Sequence, residues 1–124
     1  MREEKVWNEI TERIIAGAFK VSNALGCGFL EKVYENALAH ELRKNGLQVV
    51  QQHPVPVYYD DAMVGDFYAD LLVEETILVE LKAVEAFHDA QSAQPLNYLK
   101  GTGLPLCLLL NFGKPKVEIK RLRH

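Results

Sequence analysis

The feature that most constrains the fold is a nearly all-apolar run from Leu104 to Asn111. A strand with this pattern offers no polar face to solvent, so it is buried on both faces of its sheet. Other layers must therefore cover both faces, and the rest of the sequence supplies elements in the order α-α-β-β-β-α-β-β. We predict an α/β (α+β) fold in which helices flank a mixed sheet.

The spacing of the apolar residues changes along the chain. The spacing is helical as far as Lys44, and the next segments, apart from the third helix, have the spacing of strands. Pro54 and Pro56 suggest that the first strand lies at a sheet edge, while Pro95 must kink the third helix or start its regular part. Short connections make the first three strands an antiparallel meander. The predicted elements are helices Val6–Leu25, Phe29–Lys44 and His88–Lys100, and strands Gln48–Tyr59, Gly65–Val73, Ile77–Val84, Leu104–Asn111 and Lys116–Leu122.

Length and composition indicate one domain over residues 1–124. The chain is 48 % hydrophobic and 25 % charged, a normal balance for a globular protein. No apolar run approaches the ~20 residues that span a bilayer, and the charged N-terminus lacks the apolar core of a signal peptide. We therefore expect a cytoplasmic protein without a membrane partner. A net charge of −3 argues against a broad nucleic-acid-coating surface, but not against an enzyme that touches a few phosphates.

The predicted strand Ile77–Val84 carries a carboxylate and an ammonium on one face. Alternation gives its odd-numbered residues a clean apolar face and puts Glu80 and Lys82 side by side on the other. Burying such charges costs several kcal/mol per ion unless they are compensated. The alternative is an ordinary Glu–Lys pair on a solvent-exposed face of the sheet.

Asp70 lies in the middle of the preceding strand, although Asp is a poor strand former. Alternation places Asp70 with Tyr68 and Leu72, and puts the odd-numbered residues from Phe67 to Val73 on the opposite face. If the meander pairs as predicted, Asp70 lies beside Glu80, and two adjacent carboxylates repel. A divalent cation removes that conflict, and oxygen ligands favour Mg²⁺ or Mn²⁺.

Two helices supply weaker candidates. Glu31 projects into the apolar arc of the second helix, with Glu35 at its margin, and a buried carboxylate there would suit a metal-bound water. The alternative is a helix-start glutamate favoured by the helix dipole. Gln94 and Tyr98 share a face of the third helix at i, i+4, a spacing that is also common for a surface Gln and a core Tyr.

The C-terminal segment holds the strongest basic cluster of the chain. Lys120 and Arg121 in this cluster are candidates for contacting nucleic-acid phosphates. The alternative is a solvated edge strand that its lysines keep soluble.

Taken in order, these motifs resemble the GxxExxY family of the PD-(D/E)xK nuclease superfamily. The resemblance runs from about Ile10 to Leu122, almost the whole chain. The segments that carry it are Gly28–Tyr34, which reads G-x-x-E-x-x-Y, then Asp70, Val79–Glu85, Gln94–Lys100 and Leu109–Gly113.

The resemblance implies a restriction-endonuclease-like fold with an αβββαβ core, and a nuclease that depends on Mg²⁺ or Mn²⁺. Its substrate would be nucleic acid, with DNA expected. The implied metal ligands are Asp70, Glu80 and Glu31, and the implied catalytic residues are Lys82, Asp70, Glu80, Gln94 and Tyr98.

Two alternative functions stay open from the sequence. The chain is small for cutting both strands alone, which suggests a structure-selective, junction-resolving nuclease that acts as a homodimer. A nuclease fold that has lost activity would instead be a module that binds nucleic acid or a protein partner.

Overall fold

The structure is a computed structural model that describes residues 2–123. It contains three helices and five strands within that range. In chain order these are α1 (Arg2–Leu25), α2 (Glu31–Lys44), β1 (Val49–Tyr59), β2 (Ala62–Val73), β3 (Ile77–Lys82), α3 (Ala90–Thr102), β4 (Leu106–Asn111) and β5 (Glu118–Arg123).

The strands form one sheet in the order β1-β2-β3-β4-β5. Strands β3 and β4 are parallel and joined by α3, while the other neighbours are antiparallel. This confirms the predicted mixed sheet, the antiparallel meander and the edge position of β1. Every residue of β4 is buried, as its apolar sequence predicts.

Two apolar clusters cover the two faces of the sheet. The larger cluster joins α1 and α2 to residues such as Ile77, Val79 and Leu108. The smaller one joins α3, through Tyr98 and Leu99, to the opposite face. We call these the α1/α2 face and the α3 face. No helix within residues 2–123 is long and apolar enough to cross a membrane.

The junction between α1 and α2 depends on Tyr34. Its ring is fully buried and stacks on Phe112 at 4.8 Å between centroids. Its hydroxyl donates to the Gly26 carbonyl at 2.7 Å and accepts from the Phe29 amide at 3.2 Å. Because Leu30 is still extended, with φ −71° and ψ 155°, α2 begins at Glu31 rather than at Phe29.

The hairpin of β1 and β2 extends beyond β3. Its turn residues Asp60 and Asp61 have φ of 50° and 61°, the conformation that a two-residue hairpin turn requires, so β2 begins at Ala62 rather than at Gly65. The β2–β3 ladder covers only Leu71–Val73. The remainder of the hairpin, residues 53–69, is a two-stranded ribbon that we call the β arm.

The β arm does not keep the face assignment that alternation predicts. Ala69 and Leu72 lie in the same α3-face cluster, whereas Leu71 belongs to the α1/α2 face. The prediction that Ala69 shares a face with Leu71 is therefore wrong. Gln52 lies opposite Asp70 and has a positive φ of 56°, so both strands change the facing of their side chains at this point.

Pro95 lies inside α3, which starts at Ala90, so the proline does not begin the helix. Because proline has no N–H, the helix lacks one backbone hydrogen bond there. The helix ends at Gly103, whose φ of 72° is the left-handed conformation that favours glycine.

Candidate active site

Asp70 and Glu80 lie where β2 and β3 separate. The ladder stops at the pair Leu71–Val79, so the next backbone N–H groups need other acceptors. The Asp70 carboxylate Oδ2 accepts from the Leu81 amide at 2.8 Å. The Glu80 Oε2 accepts from the Asp70 amide at 3.0 Å. Each carboxylate thus accepts a hydrogen bond from a backbone amide of the other strand. These two bonds hold the carboxyl groups side by side.

The charge state of Glu80 reflects this crowding. The side chain is only 6 % exposed. Burial, together with the hydrogen bond and negative charge of Asp70, raises the pKa of Glu80 to about 9, against the opposing effect of Lys82. Without a cation, the pair therefore holds a proton at neutral pH. Lys82 lies two residues along the same strand face and is partly exposed.

Tyr98 extends this group of residues from α3. Its ring is 5 % exposed. Burial, with the nearby charges of Glu80 and Asp70, raises the pKa of Tyr98 to about 12. The hydroxyl therefore keeps its proton and remains a hydrogen-bond donor. Gln94, one turn earlier, is exposed, and both residues line a cleft between α3 and the β arm.

The α2 acid linked to this site is Glu35, not Glu31. Glu31 is exposed at the first position of α2, so the prediction that it lies on the buried helix face is wrong. Glu35 is 4 % exposed, and its Oε1 accepts from Gln52 Nε2 at 2.8 Å. The same nitrogen approaches Asp70 Oδ1 at 3.4 Å. This chain of contacts joins α2 to the site.

Leu30, the apolar residue just before Glu31, is not part of the buried stripe of α2. Leu30 is 81 % exposed and precedes the helix. With the stripe centred on Tyr34 and Leu38 instead, Glu35 falls among the buried residues. The buried face of α2 therefore follows from where the helix starts.

Asn111 is a further buried polar residue that the sequence pattern left unassigned. It is fully buried at the end of β4. Its Oδ1 accepts from the amides of Val84 and Gly113, and its Nδ2 donates to the Val84 carbonyl and to Glu118 Oε1, all at 2.9–3.0 Å. Asn111 therefore fixes the chain just after Lys82. The signal in the sequence was a lone amide that ends an apolar run.

The two C-terminal basic candidates lie on opposite faces of β5. Lys120 pairs with Leu109, which pairs in turn with Glu80 on β3, so all three share the α3 face. Two strand spacings, roughly 10 Å, separate the Lys120 and Glu80 backbones. Arg121 points to α1 and donates to Asn8 Oδ1 at 2.6 Å. The structure therefore does not bring Lys120 and Arg121 into one basic patch.

The donor set favours a small, hard cation. Within residues 2–123, no three His, Cys, Asp or Glu side chains converge on one metal position. The two carboxylates of Asp70 and Glu80 are, however, the protein share that Mg²⁺ commonly takes, with water and substrate phosphate completing its shell. Their mutual repulsion is the conflict that such a cation relieves.

Residues 8–122 match the family model of the PD-(D/E)XK nuclease superfamily. The chain therefore belongs to that superfamily, and the mixed five-stranded sheet with three helices is its restriction-endonuclease-like fold. Members of the superfamily are generally nucleases that use divalent metals and act on nucleic acid. No curated protein and no solved structure shows significant similarity to the chain. Membership of the GxxExxY family stays a prediction.

Proposed function

We propose that the protein is a divalent-metal-dependent nuclease that hydrolyses phosphodiester bonds, with DNA as the expected substrate. The observation that carries the proposal is the side-by-side placement of the two acids. Glu80 accepts from the Asp70 amide and Asp70 accepts from the Leu81 amide, with Lys82 on the same face of β3 as Glu80. Glu80 is buried and Asp70 partly buried, and two such acids held side by side must either keep a proton or bind a cation. Superfamily membership supports the same class of reaction.

Asp70 and Glu80 would hold the cation, with Mg²⁺ or Mn²⁺ favoured by their oxygen donors. When bound, such a cation polarises the phosphate and acidifies the attacking water. Glu80 must release its proton to act as a ligand, because burial keeps the acid protonated otherwise. We assign Glu35, rather than Glu31, to support Asp70 from α2 through Gln52.

The remaining residues act on water and substrate. Lys82 would orient the attacking water and offset the negative charge that develops on phosphorus-bound oxygens. The protonated Tyr98 hydroxyl and the Gln94 amide would donate hydrogen bonds that position the substrate. Asn111 would hold the end of β3, so that Lys82 keeps its place relative to Glu80.

The test is a cleavage assay with single-stranded, duplex and branched nucleic acids, in Mg²⁺, in Mn²⁺ and in EDTA. We expect cleavage in metal and none in EDTA. Lys82→Ala should lower cleavage by roughly 10²-fold or more, while Mn²⁺ binding in isothermal titration persists or tightens, because a competing positive charge is gone. Glu80→Ala should lose metal binding and cleavage together.

Lys116→Ala is the matched control, because Lys116 is exposed on the α1/α2 face over the Phe19 ring. It should cleave like the wild type. Full cleavage by a folded Lys82→Ala protein would overturn the role of that residue. Absence of cleavage with every substrate, in either metal, would instead favour the inactive binding module.

A further inference from the structure

A cleft of about 710 Å³ lies between α3 and the β arm. It shares Gln94 and Tyr98 with the candidate active site, and the charges of Glu80 and Asp70 lie near enough to Tyr98 to help raise its pKa. Cavities of this size accommodate small molecules or parts of larger ones. The cleft is therefore a continuation of the proposed substrate site.

Aromatic rings form much of the wall. Phe67, from the β arm, lies 6.3 Å from the Tyr98 ring, centroid to centroid, at an interplanar angle of 43°. Tyr58 lines the outer part. Phe67 is 43 % and Tyr58 63 % exposed, although the hydrophobic effect favours burying such rings. Exposed aromatic rings of this kind are suited to stacking against a flat partner.

The polar groups of the lining match a nucleotide. Gln94 and Asn97 offer amide donors and acceptors of the kind that recognise base edges. Lys100 supplies one positive charge for a phosphate. Among the described residues that line the cleft there is no carboxylate, although the whole chain has three more acidic than basic residues.

Building on the proposed nuclease function, we infer that this cleft binds unpaired nucleotides of the substrate strand, stacking bases on Phe67 and Tyr58 next to the cleavage site. Duplex DNA keeps its bases stacked inside the helix and offers no free ring face. The preferred substrate is therefore a single strand, or a duplex that carries a single-stranded end or flap. Stacking also suits an acidic protein, because it does not require many phosphate contacts.

The β arm provides a matched pair of variants. Phe67 and Tyr68 are neighbours on β2 with similar exposure, 43 % and 48 %. Phe67 faces α3 and the cleft, whereas Tyr68 lies outside the cleft lining and its hydroxyl contacts Asp66 at 3.4 Å. Truncating Phe67 removes an aromatic ring from the cleft, and truncating Tyr68 removes a comparable ring from outside it.

The experiment measures fluorescence anisotropy with a labelled oligothymidylate and a labelled blunt duplex, both in EDTA so that no cleavage occurs. We expect the oligothymidylate to bind more tightly than the duplex. Phe67→Ala should weaken binding of the single strand about tenfold, and Phe67→Trp should retain it. Tyr68→Ala should leave binding within about twofold of the wild type. Melting curves check that every variant is folded.

Equal effects of Phe67→Ala and Tyr68→Ala, or no effect of either, would overturn the inference. So would equal or tighter binding of the blunt duplex. If Phe67→Ala abolished self-association of the protein but not oligothymidylate binding, the cleft would be a dimer contact instead. A wild type that binds the oligothymidylate through Phe67 but cleaves nothing in Mn²⁺ would contradict the nuclease proposal and support the cleft assignment.

Discussion

At the scale of single residues, the proton on Glu80 links folding to pH. In the absence of metal, burial raises the pKa of Glu80 from 4.5 to about 9. Between these values the folded protein holds a proton that the unfolded chain has released. This contribution to stability is complete below about pH 4.5 and is lost as the pH rises towards 9. Metal-free protein should therefore become less stable across that interval.

Glu80→Gln tests this linkage, because the amide stays neutral at every pH. In EDTA, its Tm should match that of the wild type near pH 5 and exceed it by about 5 °C or more near pH 9. Calorimetry across this range provides the measurement. Glu85→Gln, at an exposed position, should follow the wild-type curve. Parallel curves for Glu80→Gln and the wild type would show that Glu80 ionises normally in the folded protein.

Single residues of the site differed in how far the sequence could predict them. Asp70 and Glu80 were predicted to be neighbours because their strands alternate and pair, and the structure places them together. The hydrogen bonds that their carboxylates accept from the Leu81 and Asp70 amides depend on the end of the β2–β3 ladder, which alternation does not encode. The pattern placed Glu35 only at the margin of the apolar arc and did not indicate Gln52, because the link from Glu35 through Gln52 to Asp70 joins residues of α2, β1 and β2.

At the scale of elements, most helices and strands were predicted from the spacing of their apolar residues, and β4 from its nearly unbroken apolar run. The boundaries differ by a few residues where tertiary contacts decide them, as at Tyr34, whose hydroxyl holds the loop before α2. The change of facing between Ala69 and Asp70 was not predicted. No glycine or proline marks it, and the left-handed residue opposite is Gln52, an unusual residue type for that conformation.

Asn111, at the end of β4, holds the chain just after β3 through its hydrogen bonds to the Val84 backbone. Asn111→Asp removes the donor to the Val84 carbonyl and places a carboxylate against Glu118, 2.9 Å from the present amide. Because the Val84 carbonyl loses its donor and two acids face each other, the free energy of unfolding measured in urea at pH 7 should fall by about 2–4 kcal/mol. Glu118→Gln alone removes a partly exposed ion pair with Lys114, so it should cost less than about 1 kcal/mol.

The double variant Asn111→Asp with Glu118→Gln supplies a new amide donor opposite the introduced acid. It should recover part of the lost stability, because the like-charge contact is gone. Additive costs of the two substitutions would show that Asn111 and Glu118 do not interact. An Asn111→Asp protein as stable as the wild type would contradict the role assigned to the amide.

At the scale of the whole molecule, charges that are neighbours along the chain are divided by the fold between the two faces of the sheet. The basic C-terminal segment looks like one cluster, but most of its cations contact the α1/α2 side or a neighbour on β5. Arg123 pairs with Glu4, and Lys116 lies over Phe19. Lys120 alone is in the row that crosses the sheet from Glu80 through Leu109. Strand alternation therefore separates adjacent residues that the sequence pattern grouped together.

This division predicts different effects of charge reversal at Lys120 and Arg121 on nucleic-acid binding. If the substrate crosses the α3 face, Lys120→Glu should remove about one phosphate contact. The slope of log K against log salt concentration for a single strand would then become shallower by roughly 0.7. Arg121→Glu should leave the slope unchanged, because Arg121 lies on the other face against Asn8. Anisotropy titrations of both variants at several salt concentrations, in EDTA, give the two slopes. The two residues are neighbours on one strand and carry the same charge, so each variant is the control for the other. Equal changes in the salt slope would mean that the strand end binds phosphates without regard to face. A larger change in the slope for Arg121→Glu would place the substrate over α1.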